Sequence, residues 1–266
     1  MTKGVRLRVQ NQEVYAYTGA RAFDAALPTV VFVHGAANDH SVWALQSRYF
    51  AHHGRNVLAV DLAGHGRSES NALKSVEAIA DWLAALLDAA HVPTAVLIGH
   101  SLGSLAVLAA ASRHSGRVTK MVLLGPSVPM PVSDALLDAA KGDEHVAYEL
   151  INGWSFSPGK QLGGNQVPGM WMTGNAMRLM ERTPPGTLHI DLLACNTYAG
   201  GLEAAASVRC PALAILGARD LMAPLKNTTA LIAALPQPQV VTLPNCGHSL
   251  MAEEPDAVLD ALIAFL

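Results

Sequence analysis

The chain has few charged and few aromatic residues. Of its 266 residues, 15% are charged and 5% are aromatic, whereas 51% are hydrophobic. Disorder requires the opposite balance of low hydrophobicity and high charge, so this composition excludes a disordered chain. Because aromatic rings are scarce, the core must be built mainly from Ala, Val, Leu and Ile. The length suits one large α/β domain or two small ones.

The charge pattern and the lack of long apolar runs argue against nucleic-acid and membrane partners. The net charge is −3, with no long block of one sign, which argues against a nucleic-acid surface. No uninterrupted apolar run reaches the roughly 18–20 residues that span a bilayer, and the first residues lack the apolar stretch of a signal peptide. We therefore expect no nucleic-acid partner, no membrane association and a cytoplasmic location.

Metal and cofactor motifs are absent as well. Cys195, Cys210 and Cys246 are odd in number and lack CxxC spacing, so neither a disulfide framework nor a zinc site is indicated. The sequence has no HExxH motif and no glycine-rich phosphate-binding motif. We expect no metal and no cofactor.

The chain alternates between strand-like and helix-like segments. Residues 5–9 and 13–17 alternate in hydropathy and predict an antiparallel hairpin. Continuous apolar runs, typical of strands buried on both faces, follow at residues 29–33, 57–60, 95–98, 118–124, 212–216 and 239–243. Helical periodicity marks residues 75–90, 101–112, 225–235 and 255–266. This order predicts an α/β fold with a mostly parallel central sheet and helices on both faces.

One long segment interrupts the alternation. Residues 126–208 contain no clear buried strand and are rich in Gly, Pro, Met and Trp. We interpret this segment as a helical cap inserted over one end of the sheet, and residues 1–125 and 209–266 as the core domain.

The strongest motif is Gly99-His100-Ser101-Leu102-Gly103, which directly follows an apolar strand and opens an apolar helix. A G-x-S-x-G sequence in this context predicts a strained turn that lifts the serine above the sheet. The two glycines avoid Cβ collisions across so tight a turn. Ser101 is therefore our candidate nucleophile.

A serine nucleophile needs a histidine base, which a carboxylate usually orients. Of the 11 histidines, His248 lies in the loop after the last predicted strand, at the same sheet edge as Ser101. Asp220 follows the preceding strand, whereas the loop at 125–127 contains no acid. We predict a triad of Ser101, Asp220 and His248, and interpret His100 as a packing residue.

In this order of motifs the chain resembles the α/β-hydrolase fold family. His34-Gly35 resembles the oxyanion-loop motif of the family, and residues 61–68 (DLAGHGRS) resemble its D-x-x-G-x-G-x-S turn. The resemblance implies an oxyanion hole formed by the backbone N–H groups of Ala36 and Leu102. It also implies that Asp61 and its glycines shape a turn.

The resemblance implies a serine hydrolase that cleaves small, largely apolar carboxylic esters. Cleavage of C–C bonds, lactone opening, peracid formation and lyase chemistry use the same triad and stay open, as does a slow-turnover receptor. Haloalkane dehalogenases and epoxide hydrolases would need an aspartate in place of Ser101.

The cap is the expected source of the substrate pocket. Trp154, Phe156, Trp171 and Met172 are candidate lining residues, because aromatic and Met side chains suit an adaptable apolar pocket. We expect the cap to select a small-molecule substrate without contributing to the chemistry, and we assign no chemical role to Asp191. A monomer or a small homo-oligomer is expected.

Overall fold

A computed structural model describes residues 4–24, 26–164 and 169–266. Within these residues eight strands form one sheet: β1 Val5–Val9, β2 Gln12–Tyr17, β3 Thr29–Val33, β4 Asn56–Val60, β5 Ala95–His100, β6 Val118–Leu124, β7 Ala212–Gly217 and β8 Gln239–Leu243. Their spatial order is β1-β2-β4-β3-β5-β6-β7-β8. β1, β2 and β4 pair antiparallel, and all other neighbours pair in parallel. The predicted hairpin and mostly parallel sheet are confirmed.

The described helices are α1 Ala44–His52, α2 Val76–Ala89, α3 Leu102–Arg113, α4 Asp134–Lys141, α5 His145–Ser155, α6 Pro158–Gln161, α7 Met172–Met180, α8 Thr187–Thr197, α9 Gly201–Ser207, α10 Leu225–Ala234, α11 Leu250–Glu253 and α12 Pro255–Phe265. A short 3₁₀ helix, His40–Trp43, precedes α1. None of the helices in the described part of the chain is long and apolar enough to cross a membrane.

The sheet has helices on both faces because successive strand residues point in opposite directions. In β3, Val31 and Val33 join the apolar cluster that contains the buried residues of α2 and α3. Val30 and Phe32 join the opposite cluster, which contains the buried residues of α1 and α12. Each central strand is therefore buried on both sides, as the continuous apolar runs predicted.

Two elements differ from the sequence analysis. β8 is an edge strand in which only Leu243 is buried, so its apolar run does not mark a strand covered on both faces. The helix α1 was not predicted. It buries Gln46 and Ser47 together with Phe50 and Ala51, so its inner face is partly polar and hydropathy does not reveal it.

Helices α4 to α9 lie between β6 and β7. Four of them, α4, α5, α7 and α8, share an apolar cluster that includes Leu136, Ile151, Met180 and Leu192. Ala37, from the loop after β3, belongs to the same cluster. The segment inserted at residues 126–208, hereafter the insertion, thus packs directly on a loop at the carboxyl edge of the sheet.

Candidate active site

Ser101 lies in a strained turn at the carboxyl end of β5. Its backbone adopts φ +52° and ψ −120°, a conformation that L residues rarely occupy. A Cβ on Gly99 would overlap the carbonyl oxygen of Gly103, and a Cβ on Gly103 would approach the Val33 oxygen to 2.5 Å. Only glycine fits at these two positions, so the sequence motif produces the turn by the expected steric mechanism.

His248 and Asp220 form a buried pair in the loops after β8 and β7. His248 Nδ1 donates to Asp220 Oδ2 at 2.7 Å, and Asp220 Oδ1 accepts the backbone N–H groups of Met222 and Ala223 at 2.8 and 2.7 Å. Burial opposes ionisation of Asp220, but the charge and hydrogen bond of His248 and the two backbone donors lower the pKa of its carboxyl group. Asp220 can therefore orient the ring with Nε2 facing away from it.

The Nε2 atom of His248 is buried and has no hydrogen-bond partner among the described residues. Ser101 and His248 both line one cavity of about 390 Å³. Hydrogen bonds between a nucleophile and its base are often long in ligand-free enzymes. The ring lies against Gly125, where a Cβ would come within 3.1 Å of His248 Nδ1, so the loop after β6 leaves room for the histidine.

His100 supports the loop that carries His248. Its Nε2 donates to the His248 carbonyl oxygen at 2.8 Å, and the two rings are 4.8 Å apart. Burial lowers the pKa of His100 to about 3, so the ring is neutral. These contacts support the interpretation of His100 as a packing residue.

The two candidate oxyanion donors are Leu102, which follows Ser101 in the chain, and Ala36, which lines the same cavity as Ser101. Leu102 begins α3, so its N–H has no acceptor within the helix. Among the described residues, neither N–H has a backbone acceptor. Ala36 lines the 390 Å³ cavity. A Cβ on Gly35 would come within 3.1 Å of Ser101 Cβ, so the loop after β3 packs directly against the serine.

The segment after β4 forms the turn that the sequence predicted. Asp61 accepts the backbone N–H of His40 at 2.7 Å and that of Arg67 at 2.8 Å, and Ser68 Oγ donates to the Asp61 carbonyl at 2.6 Å. A Cβ on Gly66 would overlap the Asp61 carboxylate. The structural role predicted for Asp61 is confirmed.

His34 stabilises the loop after β3 through both of its ring nitrogens. Its Nδ1 donates to the Gly35 carbonyl at 2.8 Å, and its Nε2 accepts the Leu62 N–H at 3.0 Å. A ring that donates at one nitrogen and accepts at the other is neutral. Burial lowers the pKa of His34 to about 4, in agreement with that tautomer.

The insertion also contacts the loop that carries His248. The Ser155 carbonyl, at the end of α5, accepts the N–H groups of His248 and Ser249 at 2.8 and 3.0 Å. The buried carboxylate of Glu253 accepts the N–H of Gly247 at 2.9 Å and both the N–H and hydroxyl of Ser157 at 3.0 and 2.6 Å. The candidate triad residues and the two candidate oxyanion donors all lie outside residues 126–208, but the insertion contacts the loop that carries His248. The expected separation between the insertion and the chemistry stays a prediction.

Asp191 was not predicted as part of the site. It lies on α8 and is 1% exposed, and its Oδ2 accepts the Ala37 N–H at 2.9 Å and faces His65 Nε2 at 2.8 Å. The available signal was an acid within the apolar helical stretch 188–195, where a buried charge requires a partner. Both partners are more than 100 residues away in sequence, so the sequence could not identify them.

The four candidate pocket residues separate into three locations. Trp154 lines the 390 Å³ cavity with Ser101. Phe156 and Met172 line a neighbouring cavity of about 490 Å³, which shares Asn38, His100, Ala176 and Ser249 with the first. Trp171 lines neither cavity and is 72% exposed. Its prediction as a pocket residue is wrong, because its ring lies over Gly174 at the start of α7, outside both cavities.

Metal-ligating side chains gather in one place among the described residues. Ligand atoms of Asp39, His40 and Asp61 lie within 4.8 Å of one another. His40 Nδ1 faces Asp61 Oδ1 at 2.7 Å, and Asp39 Oδ1 accepts the Ser41 N–H at 2.8 Å. These atoms already satisfy each other and a helix start, so the cluster has a structural explanation.

Cys246, two residues before His248, is fully buried. Burial raises the pKa of its thiol, with neighbouring carboxylates adding to the effect. A thiol that stays protonated is a poor nucleophile. Cys246 is therefore a small buried residue and not a candidate nucleophile.

Known proteins resemble the chain over nearly its whole length. A sn-1-specific diacylglycerol lipase of Mus musculus is 28% identical over 255 residues, which cover 91% of this chain and 82% of that protein. An esterase of Escherichia coli is 27% identical over 248 residues, which cover 89% and 92% of the two chains. Among solved structures, the enol-lactonase from Burkholderia xenovorans has a TM-score of 0.85 at 22% identity and covers 98% of this chain and 99% of its own.

The remaining comparison is with protein families. The sequence model of the alpha/beta hydrolase fold matches residues 28–255, a range that runs from β3 to the start of α12. The sheet order, the turn at Ser101 and the loops at the carboxyl edge agree with that match. This chain belongs to the α/β-hydrolase fold family.

Proposed function

We propose that the protein is a serine hydrolase that cleaves small, largely apolar carboxylic esters through an acyl-enzyme intermediate. The observation that carries the proposal is the buried His248–Asp220 pair, whose histidine lines the same cavity as Ser101. A nucleophile, a base oriented by a carboxylate and two free backbone donors are the groups that acyl transfer requires.

The proposed reaction begins with His248. Its Nε2 takes the proton from Ser101 Oγ as the oxygen attacks the ester carbonyl. The N–H groups of Ala36 and Leu102 donate to the oxyanion of the tetrahedral intermediate, and two such donors together supply several kcal/mol of stabilisation. The protonated His248 then gives its proton to the departing alcohol. A water molecule, deprotonated by His248, then attacks the acyl carbon. The bond to Ser101 Oγ breaks, the acid leaves, and His248 returns the proton to Ser101.

The electrostatic roles follow from burial. Asp220 stays ionised because its pKa is lowered, so its charge stabilises the imidazolium that forms on His248. The neighbouring ring of His100 stays neutral, because burial holds its pKa far below neutrality. A second positive charge 4.8 Å from His248 would oppose proton uptake, so a neutral His100 favours the base function.

The proposed substrate class rests on the cavity wall. Most side chains that line the Ser101 cavity are apolar, among them Met130, Val132, Leu136, Ile151, Trp154 and Leu192. An apolar wall binds a hydrocarbon acyl or alcohol group by removing its surface from water. The relatives at 27–28% identity are named as a lipase and an esterase, and both names support ester hydrolysis over C–C cleavage.

Ser101→Ala tests the proposal. We expect steady hydrolysis of p-nitrophenyl esters by the wild type and a loss of kcat on the order of 10⁴-fold or more in the variant. A fluorophosphonate should label the wild type at Ser101 and fail to label the variant. Ser127→Ala, which removes a buried hydroxyl from the loop after β6, is the matched control and should keep both activities. Turnover by the Ser101→Ala protein would exclude the proposed nucleophile.

A further inference from the structure

The insertion holds both polar groups of one backbone residue in the oxyanion loop. Ala37, next to the proposed donor Ala36, donates its N–H to Asp191 Oδ2 at 2.9 Å. Its carbonyl oxygen accepts the hydroxyl of Thr183 at 3.1 Å. Asp191 and Thr183 both belong to the insertion, Thr183 between α7 and α8 and Asp191 on α8.

The conformation of Ala37 needs such support. Its φ is +51°, in the left-handed region that residues with a Cβ avoid. A non-glycine residue in this region costs about 1–3 kcal/mol of conformational energy, so it occurs only where contacts with the surrounding structure hold it there. Ala37 is fully buried and packs in the apolar cluster of the insertion with Leu188 and Leu192. Side-chain packing and two hydrogen bonds from the insertion therefore act on the same residue.

Asp191 is anchored in turn by a charged partner. His65 faces two oxygen acceptors, the Ala63 carbonyl at 3.0 Å and the Asp191 carboxylate at 2.8 Å. Neither oxygen can donate, so both ring nitrogens must carry hydrogens and His65 is an imidazolium. Burial alone would lower the pKa of His65, but the Asp191 carboxylate raises it above its ordinary value. The two side chains, each 2% exposed, form a buried ion pair.

From this arrangement we infer that Asp191 is a positioning residue for the oxyanion hole, through which the insertion sets the direction of the Ala36 N–H. The inference rests on the proposed function of the Ser101 site. By holding the Ala37 N–H, Asp191 fixes the peptide plane that follows Ala36 and so restricts rotation about Ala36. The His65 imidazolium holds the carboxylate in place from the turn after β4.

The expected kinetic effect follows from when the oxyanion donors act. The negative charge on the substrate oxygen develops in the transition state, so a misdirected donor lowers kcat and leaves KM nearly unchanged. Complete removal of one oxyanion donor costs about 10²–10³-fold in kcat. A donor that is present but poorly directed should reduce kcat by less than complete removal does, on the order of 10-fold.

The main variant is Asp191→Ala combined with His65→Leu, which replaces the ion pair by apolar side chains of similar combined volume. Such replacements of buried ion pairs are often neutral or stabilising, so this protein should fold. His65→Gln alone is the first comparison, because it retains the carboxylate that accepts the Ala37 N–H. Asp143→Asn is the matched control, since Asp143 accepts the N–H of Gly186 at the start of the same helix α8 at 2.7 Å.

Two readouts separate positioning from stability. One is the pair kcat and KM for a p-nitrophenyl ester. The other is the Ki of an aryl trifluoromethyl ketone, whose hemiketal with Ser101 places the former carbonyl oxygen as an oxyanion in the proposed hole. We expect the double variant to lose kcat and ketone affinity by about the same factor, on the order of 10-fold, with KM within about twofold. His65→Gln should stay within about threefold and Asp143→Asn should equal the wild type.

Each remaining outcome counts against the inference. If the folded double variant keeps wild-type kcat and ketone Ki while its Tm changes, Asp191 serves only to seat the insertion. If the double variant does not fold, Asp191→Val combined with His65→Gln decides by the same two readouts, because Val is close to Asp in size and cannot accept the Ala37 N–H; unchanged values would again overturn the inference. Failure of the proposed function would look different, as the wild type itself would then resist fluorophosphonate labelling or Ser101→Ala would stay active.

Discussion

Four buried histidines near Ser101 differ in charge because their hydrogen-bond partners differ. His34 and His100 each donate to a backbone carbonyl and are neutral. His65 lies between two acceptors and is charged. His248 is oriented by a carboxylate and keeps a free Nε2 among the described residues. Residue type alone therefore does not assign a role to a histidine, whereas its partners do.

Asp220→Asn is the sharpest prediction at the scale of one residue. Asn can still accept the N–H groups of Met222 and Ala223 through its oxygen, so the loop should keep its shape. The NH₂ group of the Asn takes the place of Oδ2 and donates to His248 Nδ1, which then carries no proton. The proton of the ring moves to Nε2, so Nε2 can no longer act as a base. We expect kcat for ester hydrolysis to fall by about 10³–10⁴-fold with little change in Tm.

The control for this substitution is Asp39→Asn. Asp39 is also buried and also accepts a backbone N–H, that of Ser41, but it lies at the start of the 3₁₀ helix that precedes α1. Its kcat should stay within a few-fold of the wild type. Equal losses in the two variants would mean that a general change of charge at this edge, and not the partnership with His248, explains the effect.

At the scale of elements, the insertion makes hydrogen bonds to two loops of the candidate site, the loop of His248 and the loop after β3. The end of α5 binds the loop of His248 through the Ser155 carbonyl, and α8 binds the oxyanion loop through Asp191. Glu253 in α11 adds a third connection, to Ser157. The insertion, held at these three points, therefore supports the loops of the candidate site and also lines its cavity.

The same helices offer a test of substrate selection with a built-in comparison. Trp154 lines the Ser101 cavity, whereas Trp171 is 72% exposed and lines neither cavity. Trp154→Ala should change the ratio of kcat/KM between long and short acyl esters by roughly 5–30-fold, equivalent to ~1–2 kcal/mol of apolar contact. Trp171→Ala should leave the ratio within about twofold. Ratios that move equally in both variants would contradict the assignment of the acyl-binding wall.

For the whole molecule, the neutral buried histidines predict a loss of stability in mild acid. The pKa of His34 is lowered to about 4 and that of His100 to about 3, both from an ordinary value of 6.5. Below pH 6.5 the unfolded chain therefore takes up protons before the folded chain does. The free energy of unfolding should fall by up to about 1.4 kcal/mol per pH unit for each histidine as the pH drops towards 4.

The opposite shift of His65 does not cancel this trend. Its raised pKa contributes stability that is complete below its ordinary value and is lost only as the pH rises through the folded value. The lowered pKa values of Asp61 and Asp220 contribute stability that is lost only near and below pH 4. The window from about 6.5 to 4 is therefore governed by His34 and His100.

Urea unfolding between pH 7 and pH 4 measures this slope. His100→Gln, which keeps an amide donor for the His248 carbonyl, should reduce the slope by about one proton. His145→Gln is the control, because His145 is exposed and its pKa is raised by Glu181 and Glu149, so it adds no slope below pH 6.5. A wild-type stability that is flat across this window would contradict the neutral assignment of the buried rings.

The sequence by itself determined the order of the core elements and the residues of the candidate triad. Continuous apolar runs predict β3 to β7, because a strand that is buried on both faces has apolar side chains on both faces. The motif around Ser101 predicted its turn, because only glycine permits the close approach of the backbone there. Asp220 and His248 were found because parallel strands bring their following loops to one edge.

Tertiary structure decided what depends on partners distant in sequence. Hydropathy does not predict the helix α1, because its buried face includes the polar residues Gln46 and Ser47. Their burial depends on the elements that pack on α1. Residue type predicts a pocket position for Trp171, but the residue is 72% exposed and lines neither cavity. Hydrophobicity indicates that a side chain can be buried and does not indicate where it points. The role of Asp191 depends on the packing of α8 against the loops after β3 and β4. These loops contain its two partners, Ala37 and His65. A buried charge is tolerable only with such partners, and the packing of the insertion on the sheet edge brings them together.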